Sequence, residues 1–273
     1  MQVWVNDRLV ADQQAMVSVL DHGFLVGDGV FESVKVLGGA PFALTRHLRR
    51  LAASATGLGL AAPPETLVRE AVTATLDANP LVGPGKLRIT WTSGPGSLGS
   101  DRSGAAGTLV VAVAALGPVP VSVPVVTVPW PRNERGALAG LKTTSYAENA
   151  LALAHARARG ATEAIFADSM GRVCEGTGSN VFVVLDGQVL TPTLRTGALA
   201  GVTRGLVLEW TEAVEADFAL AELAVAQEVF LTSTTRQVQA VHSLDGRVLA
   251  APGPRTRGIA EQFGRQAALD LDP

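Results

Sequence analysis

The sequence predicts a two-domain protein of mixed α and β structure. Short β-branched apolar runs bounded by glycine, proline and asparagine alternate with longer amphipathic segments that suit helices. The stretch Gly117-Pro118-Val119-Pro120 interrupts this alternation, and its composition is typical of a linker. We therefore expect a small N-terminal α/β domain over residues 1–116, a linker over 117–120, and a larger domain with a strand-rich core over 121–273.

The first domain is predicted to combine hairpins with two helices. Asn6-Asp7 lies between two apolar triplets and favours a first hairpin, while Gly38-Gly39 after a β-branched run favours a second. Thr45 is the expected cap of the first helix. The other predicted elements of this domain are strands at 30–37, 86–92 and 108–115 and helices at 46–56 and 64–79.

The second domain is predicted to hold at least four strands and three helices. Its strands are expected at 121–128, 164–168, 181–185 and 228–232, and its helices at 145–159, 203–213 and 255–267. The longest apolar stretch of the chain, 109–128, contains one glycine and three prolines. It is therefore expected to form two strands and a linker rather than a membrane span.

Composition narrows the possible partners and compartments. With 273 residues and a formal net charge of −3, the chain can bury a substantial core and does not suit a nucleic-acid or anionic membrane surface. Its single cysteine excludes an internal disulfide, and the first residues lack the basic flank and apolar run of a signal peptide. We expect a cytoplasmic protein, and we predict no metal site.

Lysine is rare in this sequence. Of 22 lysines and arginines only Lys35, Lys86 and Lys142 are lysines. An arginine stays protonated near neutral pH, whereas a desolvated lysine can become a free amine and form a Schiff base. Downstream of Lys142, the carboxylate of Glu175 stands in a glycine-rich turn. A rare lysine followed by such a turn suggests a cofactor site.

Several motifs, in a fixed order, resemble one enzyme family. They are Phe24-Leu25-Val26-Gly27-Asp28-Gly29-Val30-Phe31-Glu32, Leu141-Lys142-Thr143-Thr144-Ser145-Tyr146-Ala147-Glu148-Asn149, Glu175-Gly176-Thr177-Gly178-Ser179-Asn180-Val181-Phe182, Ala200-Gly201-Val202-Thr203-Arg204 and Val229-Phe230-Leu231-Thr232-Ser233-Thr234-Thr235. Together they resemble the class IV aminotransferases, which are pyridoxal-phosphate enzymes of fold type IV. This family includes D-amino acid transaminases, branched-chain aminotransferases, (R)-amine transaminases and aminodeoxychorismate lyases.

The resemblance implies a role for each of the motif residues. Lys142 is expected to bind pyridoxal 5′-phosphate as a Schiff base and to move the substrate proton, and Glu175 to contact the pyridine nitrogen. Arg50 matches the arginine that binds the phosphate, and the helix opening at Val202 and Thr203 offers backbone donors to the same anion. The remaining expected cofactor contacts are Ser179, Asn180, Ser233 and Thr234.

A separate set of residues is expected to bind the substrate. On a strand, Phe31 and Lys35 share one face, which the family turns towards the active site. Three carboxylate-binding groups of bacterial D-amino acid transaminases are replaced here by Phe31, Leu98 and Ser100. Arg88 matches the position of a substrate arginine in branched-chain enzymes, and Arg102 in the glycine-rich loop is a second candidate.

The reading that fits best is a transaminase working between an amino acid and a 2-oxo acid such as 2-oxoglutarate or pyruvate. The pattern Phe31-Glu32-Ser33-Val34-Lys35-Val36 favours D-amino acids as donors, with (R)-primary amines tolerated. The alternatives are an aminodeoxychorismate lyase, which serves 4-aminobenzoate and folate synthesis, a branched-chain aminotransferase, and a catalytically idle cofactor-binding protein. The resemblance also implies a homodimer, in which the loop around Arg102 reaches the partner's active site.

Overall fold

The computed structural model describes residues 1–273 and divides into two compact units. The first unit comprises Met1–Gly117, Leu141–Tyr146 and Leu271–Pro273. The second comprises Pro118–Gly140 and Ala147–Asp270. Each unit therefore draws on more than one stretch of the chain, and the segment that contains Lys142 belongs to the first.

The first unit is built on a six-stranded antiparallel sheet with the strand order β2-β1-β6-β5-β3-β4. Its strands are β1 (Gln2–Val5), β2 (Arg8–Ala11), β3 (Gly29–Leu37), β4 (Ala40–Pro41), β5 (Gly85–Thr92) and β6 (Thr108–Ala115). Its helices are α1 (His22–Leu25), α2 (Leu44–Gly57) and α3 (Glu65–Asp77). The predicted hairpins, strands and two longer helices are confirmed, whereas α1 was not expected from the sequence.

One face of this sheet forms the core of the first unit. Val34 of β3 and Ile89 of β5 are fully buried there, together with Leu51 of α2 and Val72 of α3. Full burial of such a side chain stabilises the fold by about 1.5–3 kcal/mol. Because side chains alternate along a strand, the polar and charged residues of β3 and β5 lie mostly on the other face.

The N-terminus of α2 differs from the prediction. The helix begins at Leu44, after Ala43 in the left-handed conformation (φ 54°), and no side chain caps it from that position. The Thr45 amide donates to Asp272 Oδ1 at 2.8 Å, and its hydroxyl donates to Oδ2 at 2.5 Å. The prediction that Thr45 caps the helix is therefore wrong, because a carboxylate from a remote part of the chain takes that role and complements the helix dipole.

The second unit is built on a nine-stranded mixed sheet with the order β12-β11-β10-β13-β14-β7-β8-β9, and with β15 paired to β14. Its strands are β7 (Ser122–Thr127), β8 (Glu163–Ala167), β9 (Val173–Gly176), β10 (Asn180–Leu185), β11 (Gln188–Thr191), β12 (Val214–Glu215), β13 (Glu228–Ser233), β14 (Gln237–Leu244) and β15 (Arg247–Val248). Its helices are α4 (Ala147–Arg157), α5 (Val202–Trp210) and α6 (Pro254–Leu269).

The four predicted strands and three predicted helices of this unit are present, but the sequence did not indicate five further strands. The largest of these, β14, contains Gln237, Gln239 and His242 among its apolar residues, so it lacks the continuous apolar run of a buried strand. It is nevertheless central, since it pairs with both β13 and β7.

None of the helices combines the length and the apolar character that crossing a membrane requires.

Candidate active site

Lys142 lies beside the start of β3, and its backbone is held on two sides. The Phe31 amide donates to the Lys142 carbonyl at 3.0 Å, and the Thr144 amide donates to the Gly29 carbonyl at 2.8 Å. The Lys142 amide itself donates to the Ser54 hydroxyl of α2 at 3.2 Å. Strand and helix thus fix the position from which the lysine side chain extends.

Two aromatic rings line the Lys142 amine. Its Nζ lies 4.3 Å from the centroid of the Phe31 ring and 5.9 Å from that of the Tyr146 ring. The two rings meet edge to face at 5.3 Å, so each fixes the other. This contact gives Tyr146, the only tyrosine of the chain, a packing role next to the lysine.

Arg88 approaches the same phenylalanine ring. Its guanidinium carbon lies 3.6 Å from the Phe31 centroid, and its Nε donates to the Thr90 hydroxyl at 3.2 Å. Arg88 is half-buried and makes no ion pair, and burial lowers the pKa of its guanidinium. Phe31, Lys142 and Arg88 therefore form one group, in which a cation without a carboxylate partner stands next to an amine.

Lys35 lies on this face as well. Phe31 pairs with Thr90, Ser33 with Arg88, and Lys35 with Lys86 in the antiparallel register of β3 and β5. Residues paired in this way point to the same side of a sheet. The expectation that Phe31 and Lys35 share a face is therefore confirmed, and Arg88 shares it with them.

Arg50 and its partners lie on the opposite face of β3. Arg50 donates from Nε and from Nη2 to the two oxygens of Glu32, each at 2.7 Å. His47 Nδ1 lies 2.7 Å from Glu32 Oε2. This bidentate pair fixes the orientation of the Arg50 guanidinium, and its role towards a phosphate remains a prediction.

The protonation of this buried group follows from its contacts. Burial alone would raise the pKa of the Glu32 carboxyl, but the charge and hydrogen bonds of Arg50, with those of His47, lower it to about 2. Burial lowers the pKa of His47, so the imidazole is neutral near pH 7 and donates from Nδ1 to the carboxylate. Glu32 is thus an ionised acceptor that is paired with two side chains.

Arg102 is held within its own unit. It donates to both oxygens of Asp28 at 2.7 Å and to the carbonyls of Leu58 and Gly59 at 2.9 Å. All three of its guanidinium nitrogens are therefore engaged. This arrangement anchors the glycine-rich loop near the C-terminal end of α2.

In the second unit, Glu175 is the predicted carboxylate of the cofactor site. It accepts a hydrogen bond from the Leu199 amide at 2.9 Å, and its Oε1 lies 3.4 Å from Nη2 of Arg132. Arg132 also donates to Glu148 and, at 3.2 Å, to Asn149 Oδ1, while its guanidinium carbon stands 4.2 Å from the Phe166 ring centroid. Arg132 was not identified from the sequence, because one arginine among many carries no pattern of its own.

The start of α5 provides the donors expected at an anion site. The amides of its first turn, including those of Val202 and Thr203, have no acceptor within the helix, and no side chain caps it from Gly201. Asn180 packs against Gly201 so closely that a Cβ there would lie 1.9 Å from Asn180 Oδ1. The buried hydroxyl of Ser179 has no hydrogen-bond partner. An unsatisfied hydroxyl and uncapped amides are both groups that suit a phosphate.

A buried carboxylate joins the neighbouring loops. Glu163 accepts from the Gly178 amide at 3.0 Å, from the Thr177 hydroxyl, and from Arg236 Nη2 at 2.6 Å. Arg236 in turn donates to the Ser233 hydroxyl at 3.1 Å. The turn after Glu175 is therefore tied to the turn that contains Ser233 and Thr234. Sequence reasoning missed Glu163, although an acid that opens an apolar strand was a usable signal.

The comparisons with known proteins agree with these features. The family model for amino-transferase class IV matches residues 29–244. A branched-chain-amino-acid aminotransferase of Pseudomonas aeruginosa is 30% identical over 96% of this chain and 91% of its own length. A D-alanine aminotransferase of Listeria innocua is 30% identical over 93% of this chain and 91% of its own length.

Two solved structures share the whole fold. A branched-chain aminotransferase from Thermoproteus uzoniensis with norvaline has a TM-score of 0.91 and 32% identity, covering 97% of this chain and 94% of the other. The PLP-bound form of a hypothetical aminotransferase from Mycobacterium tuberculosis has a TM-score of 0.88 and 28% identity, covering all of both chains (100%). The chain therefore belongs to the class IV aminotransferases, enzymes of fold type IV that use pyridoxal 5′-phosphate.

Proposed function

We propose that this enzyme exchanges amino groups between an amino acid and a 2-oxo acid such as 2-oxoglutarate or pyruvate. The observation that carries the proposal is the group of Arg88, Phe31 and Lys142, in which an unpaired guanidinium and an amine contact the same ring. A guanidinium binds a carboxylate through two parallel hydrogen bonds. An α-amino acid carries its carboxylate one carbon from the amine that it gives up, so it needs these two groups close together.

The residues that would hold the cofactor are those that the family motifs imply. Lys142 would bind it covalently, and Glu175, held by the Leu199 amide and close to Arg132, would contact its ring nitrogen. The phosphate donors would be Arg50, Ser179, Asn180, Val202, Thr203, Ser233 and Thr234. Pyridoxal phosphate supplies a ring that withdraws electrons from the substrate α-carbon.

The Lys142 amine would have a second task as a free base. It would take the proton from the substrate α-carbon and return it in the reverse half of the exchange, which is general acid and base catalysis by one group. The Phe31 and Tyr146 rings restrict the positions open to the amine, so that it stays close to the carbon it serves.

D-amino acids are our favoured donors, with (R)-primary amines tolerated. The strand pattern of β3 supports this choice, and D-alanine aminotransferases are among the relatives. L-branched-chain amino acids are the second candidate. Arg88 supports that reading, since it matches the substrate arginine of branched-chain enzymes, and relatives with that name are equally similar.

Transfer of a nitrogen label tests the proposal. The enzyme, loaded with cofactor, is mixed with 2-oxoglutarate and either ¹⁵N-D-alanine or ¹⁵N-L-leucine, and labelled glutamate is followed by mass spectrometry. We expect faster labelling from D-alanine. Faster labelling from L-leucine would assign the branched-chain activity instead, and no labelling from any of the common D- or L-amino acids would refute transamination.

We further propose that the protein is a homodimer. The segment before α1 and the glycine-rich loop are joined by a hydrogen bond from the Gly96 amide to the Leu20 carbonyl at 3.0 Å. Together with α1 they expose large apolar side chains, namely Met16 (82% exposed), Val19 (73%), Phe24 (74%) and Leu98 (81%). Monomers rarely leave such a cluster in water, so a second copy of this chain is the occupant we expect.

Sedimentation of a matched pair of variants tests the dimer. Phe24→Glu places a charge in the apolar cluster and is expected to shift the protein towards the monomer. Val82→Glu, at a fully exposed position elsewhere in the same unit (103% exposed), serves as the control and should sediment like the wild type. A wild-type protein that is monomeric and fully active would refute the dimer, and with it the expected place of Arg102 near a partner's cofactor.

A further inference from the structure

A basic strip, formed by Lys35, Lys86 and Arg88, runs along the face of β3 and β5 that carries Phe31. Lys35 and Lys86 are paired directly across the two strands, and Arg88 is two residues from Lys86 on β5. Like charges directly opposite one another on a sheet are destabilising. Lys35 and Arg88 are the partly buried members of the strip, so an anion that reaches them would be favoured.

The sheet does not supply a carboxylate to Lys35 or to Arg88. On the next strand, Ala112 pairs with Arg88 and Ala114 with Lys86, and none of the residues of β3, β5 and β6 on this face is acidic. Neither Lys35 nor Arg88 makes an ion pair, although each is partly buried. Burial lowers the pKa of Lys35, which shows that partial desolvation of the ammonium is not offset by a nearby carboxylate.

We propose that the lysine end of the basic strip, at Lys35 and Lys86, binds the second carboxylate of a dicarboxylic substrate, such as 2-oxoglutarate or glutamate. This inference rests on the proposed function, in which Arg88 binds the carboxylate next to the reacting carbon. The order along the strands fits: Phe31 with the Lys142 amine comes first, then Arg88 opposite Ser33, then Lys35 opposite Lys86. Each step of two residues advances about 7 Å along a strand, a distance that an extended five-carbon diacid can bridge.

The residue types suit the two positions. The Arg88 guanidinium is fixed by the Phe31 ring and Thr90, and its planar fork holds a carboxylate in one orientation. Lysine offers a point charge on a flexible stem, which can follow the far end of a substrate chain without fixing it. This difference explains why two of the three lysines stand here in a chain that otherwise uses arginine.

Two oxo acids of equal length provide the test, since 2-oxoglutarate and 2-oxopentanoate differ only in the distal carboxylate. The readout is the ratio of kcat/KM for 2-oxoglutarate to that for 2-oxopentanoate. We expect Lys35→Met to lower this ratio by about tenfold, as for a partly exposed charge pair, and Lys35→Arg to restore most of it. Arg8→Met, at an exposed position on β2, is the control and should leave the ratio unchanged.

Binding of unreactive acids separates this inference from the proposed function. Glutarate and pentanoate again differ by one carboxylate, and their dissociation constants for the cofactor-loaded enzyme are measured by calorimetry. If the enzyme transaminates neither oxo acid but prefers glutarate in a Lys35-dependent way, the proposed function fails and the basic strip stands. The role of the basic strip would be overturned if wild type, Lys35→Met and Lys86→Met had the same kcat/KM ratio for the two oxo acids and the same relative affinity for glutarate and pentanoate.

Discussion

The charged side chains of the two units are restrained to different degrees. In the first unit, Arg88 and Lys35 are partly buried cations without ion pairs. In the second unit, the Glu163 carboxylate accepts from the Gly178 amide and pairs with Arg236, and the Glu175 carboxylate accepts from the Leu199 amide and pairs with Arg132. We infer that groups which meet a changing substrate are left to pair with it, whereas groups which hold a permanent cofactor are fixed by their neighbours.

The group around Glu32 shows that position in a unit does not decide this property. Glu32 lies in the first unit, on the face of β3 opposite the basic strip, yet Arg50 and His47 both pair with it. Arg50 is also the residue of that unit which we assign to the cofactor phosphate. For Arg88, Lys35, Arg50 and Glu175 the degree of restraint therefore follows the assigned ligand rather than the unit, whereas Arg102 is paired with Asp28 although it is also a substrate candidate.

The largest effect is expected at Lys142. Lys142→Ala removes the only group that acts both as nucleophile and as base, so turnover should fall by about ten-thousandfold or more. Cofactor should still bind noncovalently through the phosphate donors, which fluorescence titration with pyridoxal phosphate can measure. Substantial residual transamination by this variant would contradict the assignment.

Arg88→Ala tests the unpaired cation. Leaving a substrate carboxylate without its partner costs roughly 2–5 kcal/mol when the site is buried, so activity towards amino acids should fall by about a hundredfold. Transfer from (R)-1-phenylethylamine, which has no carboxylate, should fall much less if that amine is a donor. Arg49→Ala, exposed on α2, is the control. Equal losses for both donors would make Arg88 a structural residue.

Glu32→Gln tests the paired group through stability. Because the folded pKa of Glu32 is lowered from 4.5 to about 2, its ionisation contributes about 3 kcal/mol to the free energy of unfolding above pH 4.5, to the order of magnitude. This contribution is lost as pH falls from 4.5 towards 2. The lowered pKa of the buried His47 imidazole also reduces stability on acidification, because this imidazole takes up its proton more readily in the unfolded chain. Chemical denaturation at several pH values measures it.

The glutamine variant should be less stable near neutral pH and should lose less of its stability on acidification. Glu65→Gln, which removes an exposed carboxylate paired with Arg69 on α3, is the matched control and should change little. A wild-type-like pH dependence in Glu32→Gln would show that the buried carboxylate does not cause the acid sensitivity.

A smaller effect is expected at Arg132. Arg132→Met keeps apolar contact with Phe166 but removes the donors that face Glu175, Glu148 and Asn149. Loss of charge-assisted hydrogen bonds of this kind should weaken cofactor binding by about tenfold. The dissociation constant for pyridoxal phosphate measures it. Arg195→Met, at an exposed position (79% side-chain exposure), should bind cofactor like the wild type.

The sequence predicted most elements of the fold because they follow simple periodic patterns. The strands β3, β5 and β6 were predictable, because each has a run of β-branched residues or of alternating apolar and polar residues. The sequence did not predict β14, whose Gln239 is buried and donates to the Pro120 carbonyl at 2.8 Å. A polar side chain satisfied by a partner more than a hundred residues away leaves no local signal.

The residues of the candidate site also fall into those that the sequence identified and those that it did not. Lys142, Glu175 and Arg88 could be named from short motifs, although their roles remain predictions. Arg132 and Arg236 could not, because the ion pairs that they make join segments distant in the chain, and Glu163 offered only its place at the start of an apolar strand. Motifs identify groups that touch a ligand, whereas the residues that orient those groups are chosen by the folded geometry.

The first unit gathers three separate stretches of chain, and this affects how such enzymes can be recombined. A fragment ending at Gly117 would carry the whole sheet with its basic strip, but it would lack Lys142 and the Asp272 carboxylate that completes the N-terminus of α2. A chimera that exchanges only residues 1–117 between relatives would therefore join one protein's substrate face to another's reactive amine. Exchanging 141–146 and 271–273 as well keeps these partners together.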